Sequence, residues 1–168
     1  MRVYLPCTLP ALARAVTTGE LGPAPLTGFA VTPALVEWYV SGDTEELEYV
    51  ALMEAARASL RMLAADKADG FAAPARRVVV AAEVPDATTL VSPDLDDRGR
   101  VRVLESVPLA KLASVHIDDL SAQEDVTAAI IALPAADEGD DDAQFTVDGA
   151  DAHELLWYAT QEIPDLLT

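Results

Sequence analysis

"RRVVVAAEV", Arg76 to Val84, is the stretch on which the fold turns. From Val78 to Ala82 every residue is apolar, and Glu83 is the first polar side chain after the arginines. A strand with one wet face alternates apolar and polar residues. An unbroken apolar run bounded by breakers belongs to a strand covered on both faces. The flanks supply the breakers, "ADGFAAPA" before it and "PDATT" after it. A doubly covered strand needs paired neighbours on both edges and helices packed above and below.

Those neighbours are legible on either side. "RVYLP" (Arg2–Pro6) and "LTGFAV" (Leu26–Val31) are rich in β-branched and aromatic residues and read as strands. "RVRVLESV" (Arg100–Val107) alternates, with Val101 and Val103 on one side, and reads as a strand nearer an edge. "ASVHID" (Ala113–Asp118) is another. Between them run the helices. Thr8 caps a segment in which Leu9, Leu12, Ala13 and Val16 share a face up to Gly19. Thr32 with Pro33 starts a second, which ends at Ser41-Gly42. Asp43 and Glu46 form a capping box for the longest, whose stripe is Tyr49, Met53, Ala56, Leu60 and Leu63, with Leu52 beside it. Ser121 and Glu124 repeat the box before "VTAAIIAL", which Pro134 is expected to end. "PDATTLVSPDLDDRG" reads as a polar excursion. Residues 135–143, followed by a strand-like "QFTV", read as an acidic, mobile loop.

The C-terminal "HELLWYATQEIPDLL" (His153–Leu167) admits two readings. Asp151 and Glu154 could cap a helix, yet the segment is short and aromatic, which favours a strand followed by a helical turn. Leu155 and Trp157 then face one way, Leu156 and Tyr158 the other. The expected fold is therefore α/β or α+β: a single domain over residues 1–168, with a mixed five- to six-stranded sheet and packed helices.

Composition narrows the function. At 168 residues with 51% hydrophobic side chains, the chain can bury roughly two-thirds of its unfolded surface. No apolar run approaches the roughly 20 residues of a membrane span, and the first ten residues carry no signal-peptide pattern. A single cysteine, Cys7, excludes an internal disulfide and fits a reducing, cytoplasmic setting. The net charge is −18, and it is uneven: residues 111–168 hold 14 acids and one base, Lys111. Such a field disfavours direct binding of nucleic acid or an anionic membrane and favours a basic protein partner. Nine arginines against two lysines, with abundant alanine, point to GC-rich coding.

Candidate chemistry is sparse. His116 and Asp118 in "VHIDD" share a strand face, so an acid–base pair is conceivable there; turn residues before a capped helix explain the same pattern. His153 is the only other histidine, and a site joining it to His116 and Asp118 needs a convergence that spacing does not show. There is no HExxH, CxxC or GxSxG motif, so no metal and no cofactor are expected. "DEGDDDAQ" has the acidity of a calcium loop without its ligand spacing or flanking helices. Cys7 stands before a helix N-terminus, where a thiol pKa can fall.

"RVYLP", "GELGPAPLTGFAVTPAL", "VPLAKLASVHIDD" and "HELLWYATQEIPDLL" together resemble a family of short actinobacterial proteins with a domain of unknown function. The likeness covers nearly the whole chain and implies a single cytoplasmic domain. It carries no activity and no site residues. The leading expectation is a non-enzymatic, acidic interaction or regulatory module whose partner is basic, anchored at Trp157 and Tyr158. The alternative is a small enzyme or ligand-binding domain with a cleft near Cys7, His116, Asp118 and Trp157. A homodimer is a third arrangement.

Overall fold

The apolar run is β4 (Val78–Glu83), and its first five residues are wholly enclosed in the computed structural model, which describes residues 1–39, 41–92 and 97–168. Around it the chain places β1 (Arg2–Cys7), α1 (Leu9–Thr18), β2 (Glu20–Leu21), β3 (Leu26–Phe29), α2 (Pro33–Trp38) and α3 (Thr44–Ala68). After β4 come β5 (Thr89–Val91), β6 (Arg100–Val103), β7 (Val107–Pro108) and β8 (Leu112–Asp118). The helices α4 (Gln123–Asp137) and α5 (Asp141–Asp151), the strand β9 (Leu155–Tyr158) and the short α6 (Ile163–Leu166) complete it. The strands form one seven-stranded sheet in the order β5-β6-β3-β1-β4-β8-β9, with β2 and β7 paired apart.

The α/β mixture in a single domain is as expected, but the sheet differs in two respects. It has seven strands where five or six of mixed direction were expected, and every neighbouring pair is antiparallel. The extra strand is β5, three residues hidden in the polar excursion, with residues 93–96 of that excursion lying outside the described residues. Direction follows from β1, which lies between β3 and β4: the crossover through α2 and α3 skips a place, so its two strands are parallel without touching.

Two cores lie on the two faces. On one, Val3, Leu5, Val78, Val80, Val101, Val103, Val115 and Ile117 pack with Leu12 and Ala15 of α1 and with Ile163. On the other, Tyr4, Phe29, Val79 and Ala81 meet Ala51, Ala55 and Ala56 of α3. Of the α3 stripe read from the sequence, Ala56, Leu60 and Leu63 are buried while Tyr49 is exposed, and Ala51, Ala55 and Ser59 complete the buried face. Small side chains let the helix lie close to the sheet. The buried Ser59 hydroxyl donates to the Cys7 carbonyl at 2.7 Å and accepts from the Val78 amide at 3.0 Å, tying the helix to two strands at once. In α1, likewise, Ala15 is buried where Val16 was expected. Gly28 serves a different closeness, that of β3 to β1, because a Cβ there would collide with the Val3 side chain.

The caps at Thr8, Thr32 and Asp43 form as read, each accepting the backbone amide three residues on. The box at Ser121 does not: its hydroxyl donates to Asp119, and a 3-10 turn over Leu120–Ala122 leads into α4 without a side-chain cap. Nor does Pro134 stop α4, which runs on to Asp137. The acidic loop expected at 135–143 is instead two helix ends, and "QFTV" is helical. Asp140 caps α5 by accepting from the Ala143 amide, and the turn needs only Glu138 to Asp140, with Gly139 at φ +96°. Acids at a helix start complement its dipole, which is why a run that looks like solvated loop can nucleate α5.

Beneath α5 sits a buried ion pair. The Arg77 guanidinium meets Asp118 through Nε at 2.9 Å and Nη2 at 2.8 Å, the Arg77 amide donates to the same carboxylate, and both residues are 0% exposed. Nη2 also donates to the His153 carbonyl at 3.0 Å. Removing one partner strands the other charge in a dry interior, so Asp118→Ala is expected to cost about 3–5 kcal/mol in urea unfolding. A loss below about 1 kcal/mol would show the pair to be dispensable.

Candidate functional site

The last four-residue strand is built by its neighbour. β9 pairs with β8 in the register Asp118↔Leu155, Ile117↔Leu156, His116↔Trp157 and Val115↔Tyr158, and it closes the sheet at that end. The alternation read from the sequence holds. Leu155 and Trp157 share the α3 face, Leu155 packing beside that core, while Tyr158 packs against the opposite core. Trp157 remains 62% exposed and Leu156 is exposed beside it. An edge strand carries outward-facing backbone amides and carbonyls, and this one also presents an uncovered indole.

His116 is half-buried opposite Trp157. Its Nε2 lies 3.0 Å from Ser114 Oγ, and its ring meets Tyr4 edge-on at 6.4 Å between centroids. Burial, helped by the nearby Arg2 charge, pulls its pKa below the ordinary histidine value. It is neutral at pH 7 and serves as a packed, hydrogen-bonded member of the sheet face. Asp118 shares this face but spends its carboxylate on Arg77. His153 lies off the strand, with Nε2 2.6 Å from the exposed Asp125 carboxylate. The two histidines therefore have separate partners, and among the described residues no cluster of three or more His, Cys, Asp and Glu is placed to hold a metal. Cys7 is enclosed, its thiol donating to the Thr8 carbonyl, and burial pushes it up to about 12 in spite of the adjoining helix start. Of the group expected to surround a cleft, Cys7 and Asp118 have no surface to offer; His116 and Trp157 are the pair brought together.

Acids flank both ends of β9. Glu154 precedes it, Asp125 is bound to His153, Asp119 follows the residue that pairs with Leu155, and Glu162 Oε2 accepts the Ala159 amide at 2.7 Å. Of the two residues at this end, Arg77 was not singled out in the sequence, and Asp151 was read only as a possible helix cap. The available signal was an arginine directly before a doubly buried strand, where a cation needs a partner.

Fold and edge together define an α+β domain with an exposed aromatic on its terminal sheet strand and an acidic surround. The profile of a family of unknown function, DUF6912, matches residues 1–167, and the chain belongs to that family. No curated protein and no solved structure matches it. Among the described residues no helix is long and apolar enough to cross a membrane.

Two outcomes follow from the titrating groups. In the folded chain His116 binds its proton less readily than in the unfolded chain, so the unfolded state takes up more protons below pH about 6.5. Stability is expected to fall as pH drops through that value and to level off below the folded pKa. In two-dimensional NMR the His116 ring should titrate below the ordinary value; a midpoint above it contradicts the reading. Cys7, for its part, should resist iodoacetamide at pH 8 in the native protein and react fully in 6 M guanidinium, as mass spectrometry would show.

Proposed function

We propose that this protein is a protein-interaction module without catalysis of its own, and that it takes an extended, basic segment of a partner along the outer edge of β9. The reading rests on one observation: the sheet ends in a strand whose Trp157 is 62% exposed. Strand addition supplies main-chain hydrogen bonds, and alternate side chains of the incoming segment supply selectivity. A desolvated tryptophan is the most frequent kind of anchor in such contacts. Asp119, Asp125, Glu154 and Glu162 form the rim, and the C-terminal third has one base against 14 acids, so lysines and arginines on the partner are attracted and nucleic acid or anionic lipid is repelled. A second copy of the chain would bring −18 against −18, which disfavours self-pairing. The abundance of alanine, the preference for arginine over lysine and the lone thiol support an actinobacterial, cytoplasmic source.

A synthetic peptide alternating valine with lysine tests this. It should shift the Leu155–Tyr158 amides in NMR and quench Trp157 fluorescence, with affinity falling as salt rises. Trp157→Ala should weaken binding at least about tenfold, the cost of a modest hot spot. A glutamate version that binds equally well, or unchanged β9 amides at millimolar peptide, would refute the proposal.

A further inference from the structure

The chain carries nine arginines, and four of them meet in one place. Two adjoining cavities run along α3 and share Phe29, Glu54, Asp97 and Arg100. The smaller, about 170 Å³, is bounded by Trp38 and Tyr39 at the end of α2. The larger, about 310 Å³, opens between Arg57 and Arg61 of α3 and the inner side of α5. This groove is separate from the β9 edge.

Carboxylates hold its guanidinium groups. Arg57 Nη1 lies 2.7 Å from Glu54 and its Nε 3.1 Å from Asp151. Arg61 is bidentate to Asp137, and Arg100 Nη1 is 2.9 Å from Asp97. A guanidinium has five N–H donors in a fixed fork, so Arg57 and Arg100 are oriented by these contacts without being exhausted by them. Arg98 differs. Its guanidinium carbon lies 3.7 Å from the centroid of the Trp38 ring, and it has no carboxylate partner among the described residues. The groove therefore offers fixed donors for an anion at one end and an aromatic–guanidinium stack at the other. The acids between them, Glu54 and Asp97, can accept hydrogen bonds from a ligand's hydroxyl or amino groups.

We propose that this groove binds a small ring-bearing phosphomonoester, with the phosphate on Arg57 and Arg100 and the ring beside Trp38 and Arg98. Two features favour this class over a bare polyanion. The lining acids nearly balance the arginines, so a high anionic charge gains little, whereas one phosphate gains paired, directional bonds. The flat end of the groove contributes only to a ligand that has a ring to stack. The larger cavity, at about 310 Å³, falls at the small end of known ligand sites, and the smaller extends it.

Calorimetric titration with AMP and phenyl phosphate tests it, with adenosine and inorganic phosphate as partial ligands. At least one of the two ring-bearing esters should saturate with a dissociation constant below about 1 mM. Adenosine should bind at least about tenfold more weakly than AMP, as the loss of charge-assisted hydrogen bonds requires. Arg100→Gln, at an exposed position, should weaken the ester at least about tenfold with the melting temperature kept. Trp38→Ala should weaken the ester while leaving inorganic phosphate unaffected. Failure of both esters to saturate by about 5 mM, or an Arg100→Gln variant that binds as well as the parent, overturns the assignment.

Discussion

A buried guanidinium is tolerable only if its charge is paired, and Arg77 meets that condition by drawing three parts of the chain together. Its own amide, Nε and Nη2 converge on Asp118 at the end of β8, and Nη2 also reaches the His153 carbonyl just before β9. The remaining guanidinium nitrogen, Nη1, has no hydrogen bond among the described residues and lies 3.8 Å from Asp151 at the end of α5. Arg76 adds a bond from Nε to the Asp118 carbonyl. The entry to the central strand, the exit of its neighbour and the turn into the last strand are thus joined through one ionised side chain. A pair of apolar residues could fill the same space, but a directional bond adds to the ladder in fixing which residue of β8 faces which residue of β4 and where β9 begins.

Much of the sheet could be read from the chain because it is written in local patterns. The uninterrupted valines of β4, the alternation of Val101 and Val103 and the aromatic character of Leu155–Tyr158 each reflect a burial that depends on the strand's own faces. The same holds for the caps at Thr8, Thr32 and Asp43, whose side chains bond three residues on. What escaped was set at a distance. The first half of the α3 face is chosen by the space above β1 and β4, which admits Ala51 and Ala55 and turns Tyr49 outward, whereas Ala56, Leu60 and Leu63 are buried as their spacing indicates. The acidic run before α5 has the composition of a loop, and its helicity depends on Val147 and Ala150 finding cover against α3 and α4.

The candidate site divides along the same line. That Trp157 and Leu155 share a face was legible, because period two follows from any strand assignment. That His116 stands opposite Trp157 was not, because register belongs to the pair. Asp118 illustrates the ambiguity of an acid at a strand end: its neighbours in sequence suggested a turn or an acid–base role, and its partner 41 positions away made it structural. Cys7 shows the reverse. Its place before a helix favours a reactive thiol, yet enclosure outweighs the dipole and the thiol stays protonated.

Asp151 stands between the two surfaces to which function has been assigned. One oxygen accepts from Arg57 on the groove wall at 3.1 Å, and the other lies 3.8 Å from Arg77, whose bonds position β9. Its two oxygens face different guanidinium groups, so one carboxylate links the groove wall to the side chain that positions β9. The acidic composition, read alone, suggests only solubility. Placed in the fold, its members at positions 54, 97, 137 and 151 orient the groove's arginines, while those at 119, 125, 154 and 162 surround an aromatic edge.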